Sequence, residues 1–319
     1  MQKTLIATIV LGLIFLTGCI QIPGRSGGSN TNVPSANFNF RTGSEGMVML
    51  INPNTPPARI YDNQELNMII ELQNRGAYTL PGDGFDRVYL SGFDASLFPN
   101  IPYDGVPIPP LEGKTAYSQG TSNVISFQSP VSMGRLVNPL PVNLMATACY
   151  RYRTIAEATV CIDPDPFSTS TAPKACRATA IGLGTQGAPV AVQNIGVEPS
   201  RDRQRFVISI SNARGGVVFK PGPSQMQACN PYVKEGLRFN ERDYVKIVDV
   251  SISGASILGT CRPPPEDGQY LRLTSGQGKL FCDFENLQGT APYTTNMRIE
   301  LEYGYQENIM RSVTVVPQI

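Results

Sequence analysis

The chain has 319 residues and a formal net charge of +1, and 16% of its residues are charged, against about 25% in an average globular chain. No block of like charge occurs, which argues against a nucleic-acid surface. Histidine is absent, which removes the commonest general base and the commonest zinc ligand together.

In chain order, the first element is an export signal. Gln2-Lys3 supplies a short basic start, residues 4–20 carry no charge, and the densest apolar part runs from Leu5 to Leu16. That is the length of a signal-peptide core. It ends in Leu16-Thr17-Gly18-Cys19, which resembles the lipobox of prokaryotic lipoproteins. The resemblance implies removal of residues 1–18, a lipid on Cys19, and a chain held at the extracytoplasmic face of the cell membrane. An uncleaved membrane anchor is the alternative, and it leads to the same compartment. Residues 19–39, with GRSGGSNTNVPSAN, have almost nothing to bury and form a flexible tether.

Beyond the tether, Gly (30) and Pro (27) are scattered between short apolar runs, the pattern of many strands joined by turns. The segment GLGTQG (182–187) fits the spacing G-x-G-x-x-G. A dinucleotide loop needs a helix directly after its glycines. Here Ala188-Pro189-Val190-Ala191-Val192 follows, which reads as strand. A better explanation is repetition: Gly43-Ser44-Glu45-Gly46 matches Gly184-Thr185-Gln186-Gly187.

Further landmarks keep the same order. Leu66, Met68, Ile70 and Leu72 alternate into Asn74-Arg75-Gly76; Phe206, Ile208 and Ile210 alternate into Asn212-Ala213-Arg214-Gly215. Leu80-Pro81-Gly82 answers to Lys220-Pro221-Gly222, and Tyr150-Arg151-Tyr152 to Tyr303-Gly304-Tyr305. The shift between landmarks places an insertion of about twenty residues in the second copy, between Pro223 and Gln277. The expected fold is all-β, with two tandem immunoglobulin-like β-sandwich domains at 40–165 and 176–319 and a stiff linker at 166–175.

Strands ending in N-x-G, as in IIELQNRG, resemble the CARDB-type and related immunoglobulin-like modules of bacterial and archaeal cell surfaces. The set of lipobox, GSEGMVM, IELQNRGAY, CYRYRT and TQGAPVAV is similar to that of small archaeal surface lipoproteins. The resemblance implies an extracellular, non-catalytic adhesion or envelope role, with a surface protein or polysaccharide as partner and no cofactor. It assigns no binding residues.

Apart from Cys19, six cysteines remain: Cys149, Cys161, Cys176, Cys229, Cys261 and Cys282. An even count beyond the membrane implies three disulfides. A hairpin folded about Ile155 would place Cys149 opposite Cys161. Cys261 and Cys282 flank a Pro-rich turn and form a second pair. Cys176 with Cys229 follows by elimination, and Cys161 with Cys176 across the linker is the rival.

Catalytic patterns are sparse. No G-x-S-x-G or S-x-x-K occurs, and Leu111-Glu112-Gly113-Lys114-Thr115 lacks the first glycine of a P-loop. Asp83 and Asp86 lie in a Gly-rich turn, where Asp is usually a turn former. Asp163 and Asp165 offer two carboxylates where calcium would need more oxygens. Tyr150, Tyr152, Tyr303 and Tyr305 share the parity of Ala148 and Leu301 and are expected inside, with Arg151 and Arg153 on the opposite, solvent face. A surface hydrolase or solute-binding lipoprotein is the competing function; the first needs converging acids in a cleft, the second helical lobes.

Overall fold

Strict alternation of buried and exposed positions sets the long elements. In Glu65–Asn74 the side chains of Leu66, Met68, Ile70 and Leu72 are buried while their neighbours face outward, and Phe206, Ile208 and Ile210 repeat the pattern in Gln204–Asn212. The computed structural model describes residues 40–134, 137–169, 173–263, 270–285, 287 and 289–318. The signal segment, Cys19 and the tether lie outside the described residues.

The first copy contains β1 (Met47–Ile51), β2 (Arg59–Tyr61), β3 (Glu65–Asn74), β4 (Arg87–Ser91), β5 (Val106–Pro107), β6 (Ser122–Pro130) and β7 (Leu140–Ile162). The second contains β8 (Ile181–Gly182), β9 (Val190–Pro199), β10 (Gln204–Asn212), β11 (Val217–Phe219), a short helix α1 (Pro223–Ala228), β12 (Tyr244–Ile252), β13 (Ala255–Ser256), β14 (Tyr270–Arg272), β15 (Gln277–Phe284) and β16 (Tyr293–Val316). The protein is all-β apart from α1 and one 3-10 turn among the described residues. The insertion falls between Gly222 and β12 and carries α1.

The sheets repeat as the sequence does. In the first copy β1-β3-β6 form a small antiparallel sheet, and in the second β9-β10-β15 do, with β8 added at the β9 edge. The remaining strands do not form two separate sheets. They make one sheet in the order β13-β12-β16-β7-β4-β5, to which β2, β11 and β14 also pair. The last strand of each copy is its neighbour's partner: β7 and β16 run antiparallel from Leu140↔Val315 to Ile162↔Tyr293. Two bodies strung on a linker were expected; the described residues from 40 onward instead fall in a single compact unit. The cause is backbone chemistry. Each copy's last strand would otherwise end its sheet with a row of unpaired amides, and the two rows satisfy each other.

The register has a simple symmetry. Tyr150 lies opposite Tyr305, Arg151 opposite Gly304, and Tyr152 opposite Tyr303. An internal two-fold axis therefore passes through the Arg151–Gly304 pair, and the junction is isologous in the manner of a symmetric dimer. Both small sheets pack on the same face of the shared sheet, and one continuous apolar core joins them. It includes Leu144, Ala148, Phe127, Leu301, Ile208 and Phe206, all fully buried.

The opposite face holds a second, smaller core of Tyr89, Cys149, Phe219, Met226, Cys229 and Leu237. Here the insertion crosses the shared sheet. The Phe219 ring lies over Gly304, where an added Cβ would come within 2.3 Å of it. Glycine occupies that half of the axis because the ring needs the space. Replacing Gly304 by Ala should lower stability by about 1–3 kcal/mol through overpacking, read as a drop in melting temperature. Unchanged stability would show that Phe219 is free to move aside.

Candidate functional site

The residues with unusual environments gather where the two copies meet. On the core side, Tyr150, Tyr152, Tyr303 and Tyr305 are fully buried, as their parity predicts. Tyr150 packs against Tyr305 and Tyr152 with ring centroids 5.8 and 5.9 Å apart, and Tyr303 against Tyr305 at 6.4 Å. Burial pushes all four phenols up, Tyr305 to about 12. They stay neutral and act as hydrogen-bonding groups.

Each Asn-Gly turn is tied to one of these hydroxyls. Tyr152 donates to Asn74 Oδ1 at 3.0 Å and accepts from the Tyr78 amide. In the second copy Tyr305 donates to Asn212 Oδ1 at 3.3 Å and accepts from Gly216 N at 2.8 Å. Both asparagines also donate across their turns, Asn74 to Tyr78 O and Asn212 to Gly216 O, at 2.7 Å each. Gly76 has no room for a side chain: a Cβ there would lie 2.0 Å from the Tyr152 hydroxyl and 2.5 Å from Gly187 O. The turn glycine is therefore required by close approach and not by a left-handed backbone.

The repeated glycine loops meet each other. Thr185 Oγ1 accepts from Gly43 N at 3.0 Å, Gly43 O accepts from Gly187 N at 2.8 Å, and Gly187 O accepts from Ala77 N at 2.7 Å. β9 begins three residues after Gly187, so the loop faces its own counterpart and has no helix dipole behind it.

Beside these loops runs a chain of charges between the copies. Glu45 lies 3.7 Å from Arg75 and 4.0 Å from Arg214, and Arg214 reaches Glu307 at 2.5 Å. Burial pushes the Glu307 carboxyl up to about 7; Arg214 opposes the rise and Glu45 adds to it. One nitrogen of Arg214, Nη1, is buried without a hydrogen bond. A groove of ≈ 430 Å³ opens alongside, between Met49 and Ile309.

On the outer face the axis is marked by Arg151. Its Nη2 reaches Asp83 at 2.6 Å, and its Nε and backbone N reach the buried Asp86 at 3.1 and 3.0 Å. The guanidinium also lies over the Phe85 ring, 5.2 Å from its centroid. The bond from Arg151 holds the Asp83 carboxyl below its ordinary value, while burial pushes Asp86 up. Asp83 is a turn former as expected, accepting from Phe85 N at 3.2 Å. The clamp on Arg151 is an additional role that local sequence did not reveal. Arg153 likewise faces outward and pairs with Glu300 and Glu302.

Next to the clamp, Gly84, Phe85 and Arg87 on one side and the inserted α1 on the other flank an open cleft of ≈ 410 Å³. Phe85, Tyr89, Met226 and Val233 give it apolar walls; Asp104, Gln227 and Asn230 supply polar groups. Arg87 is engaged with the carbonyls of Gly84, Asp104 and Gly105. Tyr103 stacks edge-on against Tyr232, whose hydroxyl donates to Leu90 O.

The cysteines hold this arrangement, and two expected pairings are corrected. Cys149 bonds Cys229, Cys161 bonds Cys176, and Cys261 bonds Cys282. Cys149 cannot meet Cys161 because no hairpin forms at Ile155: β7 continues through it as one strand. Cys149 instead tethers the insertion beside the cleft, which leaves Cys176 to Cys161. With Lys174 Nζ on Asp163 Oδ2 at 2.6 Å, that bond holds residues 174–176 against the end of β7. The Asp163 carboxylate thus pairs with an ammonium and accepts the backbone N–H of Asp165 at its Oδ1. No group of three metal-ligating side chains occurs among the described residues.

No known family model matches the chain, and no curated protein is similar to it.

Two outcomes test this description. Non-reducing peptide mapping should link Cys149 to Cys229, and replacing both by Ala should cost about 2–5 kcal/mol of stability; a Cys149–Cys161 peptide would contradict the fold at β7. The raised Glu307 carboxyl binds its proton more tightly in the folded state than its ordinary value of 4.5 allows. Its contribution is full below that value and is lost as pH rises towards 7. Melting curves across that window should fall less steeply for Glu307→Gln than for the native chain; equal slopes would refute the assignment.

Proposed function

We propose that the protein is a lipid-anchored, extracytoplasmic surface component with a non-catalytic binding, adhesion or envelope-structural role. The observation that carries this reading is the set of three disulfides, one from the middle of β7, one from its C-terminal end and one from β15. Such bonds persist in oxidising compartments, and Cys149–Cys229 ties the inserted segment to the shared sheet.

The lipobox-like segment ending at Cys19 supplies the anchor, and residues 20–39 give the folded body reach from the membrane. No described helix is long and apolar enough to cross a membrane. The two copies act as paired immunoglobulin-like sandwiches sharing one wall, whereas the resemblance to CARDB-type surface modules implies the surface role. The disulfides and buried tyrosines keep that wall rigid while the exposed faces meet partners.

Expression of the whole chain in a lipoprotein-processing host tests the anchor. Intact mass should show loss of residues 1–18 and added acyl mass on Cys19, and Cys19→Ala should move the protein out of the membrane fraction. Native protein with residues 1–18 still attached and an unmodified Cys19 would overturn the assignment.

A further inference from the structure

We propose that the outer face of the β9-β10-β15 sheet binds an acidic polysaccharide. This inference rests on the binding role above and names the partner for a second surface, away from the cleft.

A β-bulge shapes that face. Asn194 lies opposite Ser209 and Val192 opposite Ile210, so Gln193 is the extra residue. Bulges re-aim side chains and deepen local twist. Gln193 donates from Nε2 to Ser211 Oγ at 2.8 Å. Across the strands, Asn194, Ser209 and Lys279 form one row; Ser211 faces Gln277 in the next. With strands about 4.8 Å apart, a row across three of them spans roughly 10 Å. The trough has a volume of ≈ 810 Å³.

Its chemistry is narrow. Apart from Val207, the side chains turned to it are amides, hydroxyls and one ammonium, Ile210 pointing into the core, and none of the described lining residues is acidic. Amides and hydroxyls both donate and accept, whereas the ammonium only donates. That combination suits a chain of sugar rings, with many hydroxyls and periodic carboxylates. A peptide is disfavoured. The surface is a sheet face and not an edge, so it offers no main-chain pairing.

The first copy acts as an internal control. There Glu71 stands at the position of Ser209 and Val124 at that of Lys279, and they pair with each other in the same way. Val124 is 55% exposed. The fold is thus indifferent to what stands at this place. The second copy carries a neutral hydroxyl and a cation where the first has an acid that would repel an anionic polymer.

The test uses the whole chain in detergent, passed over immobilised polygalacturonate, neutral dextran and poly-glutamate. Retention on polygalacturonate alone is expected, weakening as salt screens Lys279. Lys279→Glu should reduce retention at least tenfold, while Val124→Glu on the first copy should leave it unchanged. Three outcomes would overturn the proposal: no retention on polygalacturonate, unaltered retention of Lys279→Glu, or equal retention on poly-glutamate. Each would leave the acylation of Cys19 standing, and an unmodified Cys19 would leave sugar binding standing, so the two readings fail separately.

Discussion

Everything in this protein depends on the ladder between β7 and β16. A strand at the edge of a sheet leaves its outward amides and carbonyls without partners, and natural proteins must cover, charge or pair them. Here each copy covers the other. The pairing places the aromatic triplets side by side, brings the two glycine loops into contact, and sets the Asn-Gly turns against the tyrosine hydroxyls. Remove the ladder and none of those contacts has a scaffold.

The same junction explains why the inner and outer faces differ. On the core side the symmetry is well kept, because two similar apolar layers must close over one sheet and packing tolerates little change in volume. On the outer side nothing comparable constrains the chain. The second copy could acquire α1 and its surrounding loop, lay Phe219 over Gly304, and tie the addition down through Cys149–Cys229. The first copy instead holds Arg151 between Asp83 and Asp86. The cleft lies between these two unlike halves.

Much of this was legible in sequence, and the limits have physical causes. Period-two alternation gave the strand faces, so the inward tyrosines and outward arginines follow directly. Repeated landmarks gave the duplication and the place of the insertion. The shared sheet was hidden because strand pairing between distant segments leaves no local mark. The hairpin expected at Ile155 had a visible counter-sign: Tyr152, Thr154, Ala156 and Ala158 continue one parity with no turn-forming residue among them. Once that turn is removed, the cysteine pairing changes with it. The clamp on Arg151 and the raised carboxyl of Glu307 depend on neighbours far away in the chain. Residue type alone carries no trace of them.

The residues on the axis carry one more implication. In a dimer of separate identical chains, whatever stands at the symmetry axis must face a copy of itself, so an arginine there would meet an arginine. Covalent fusion lifts that restriction. Arg151 faces Gly304, one half charged and the other bare enough for an aromatic lid. Because the halves share a backbone, this asymmetric seam also forms at any dilution, with no association step to lose.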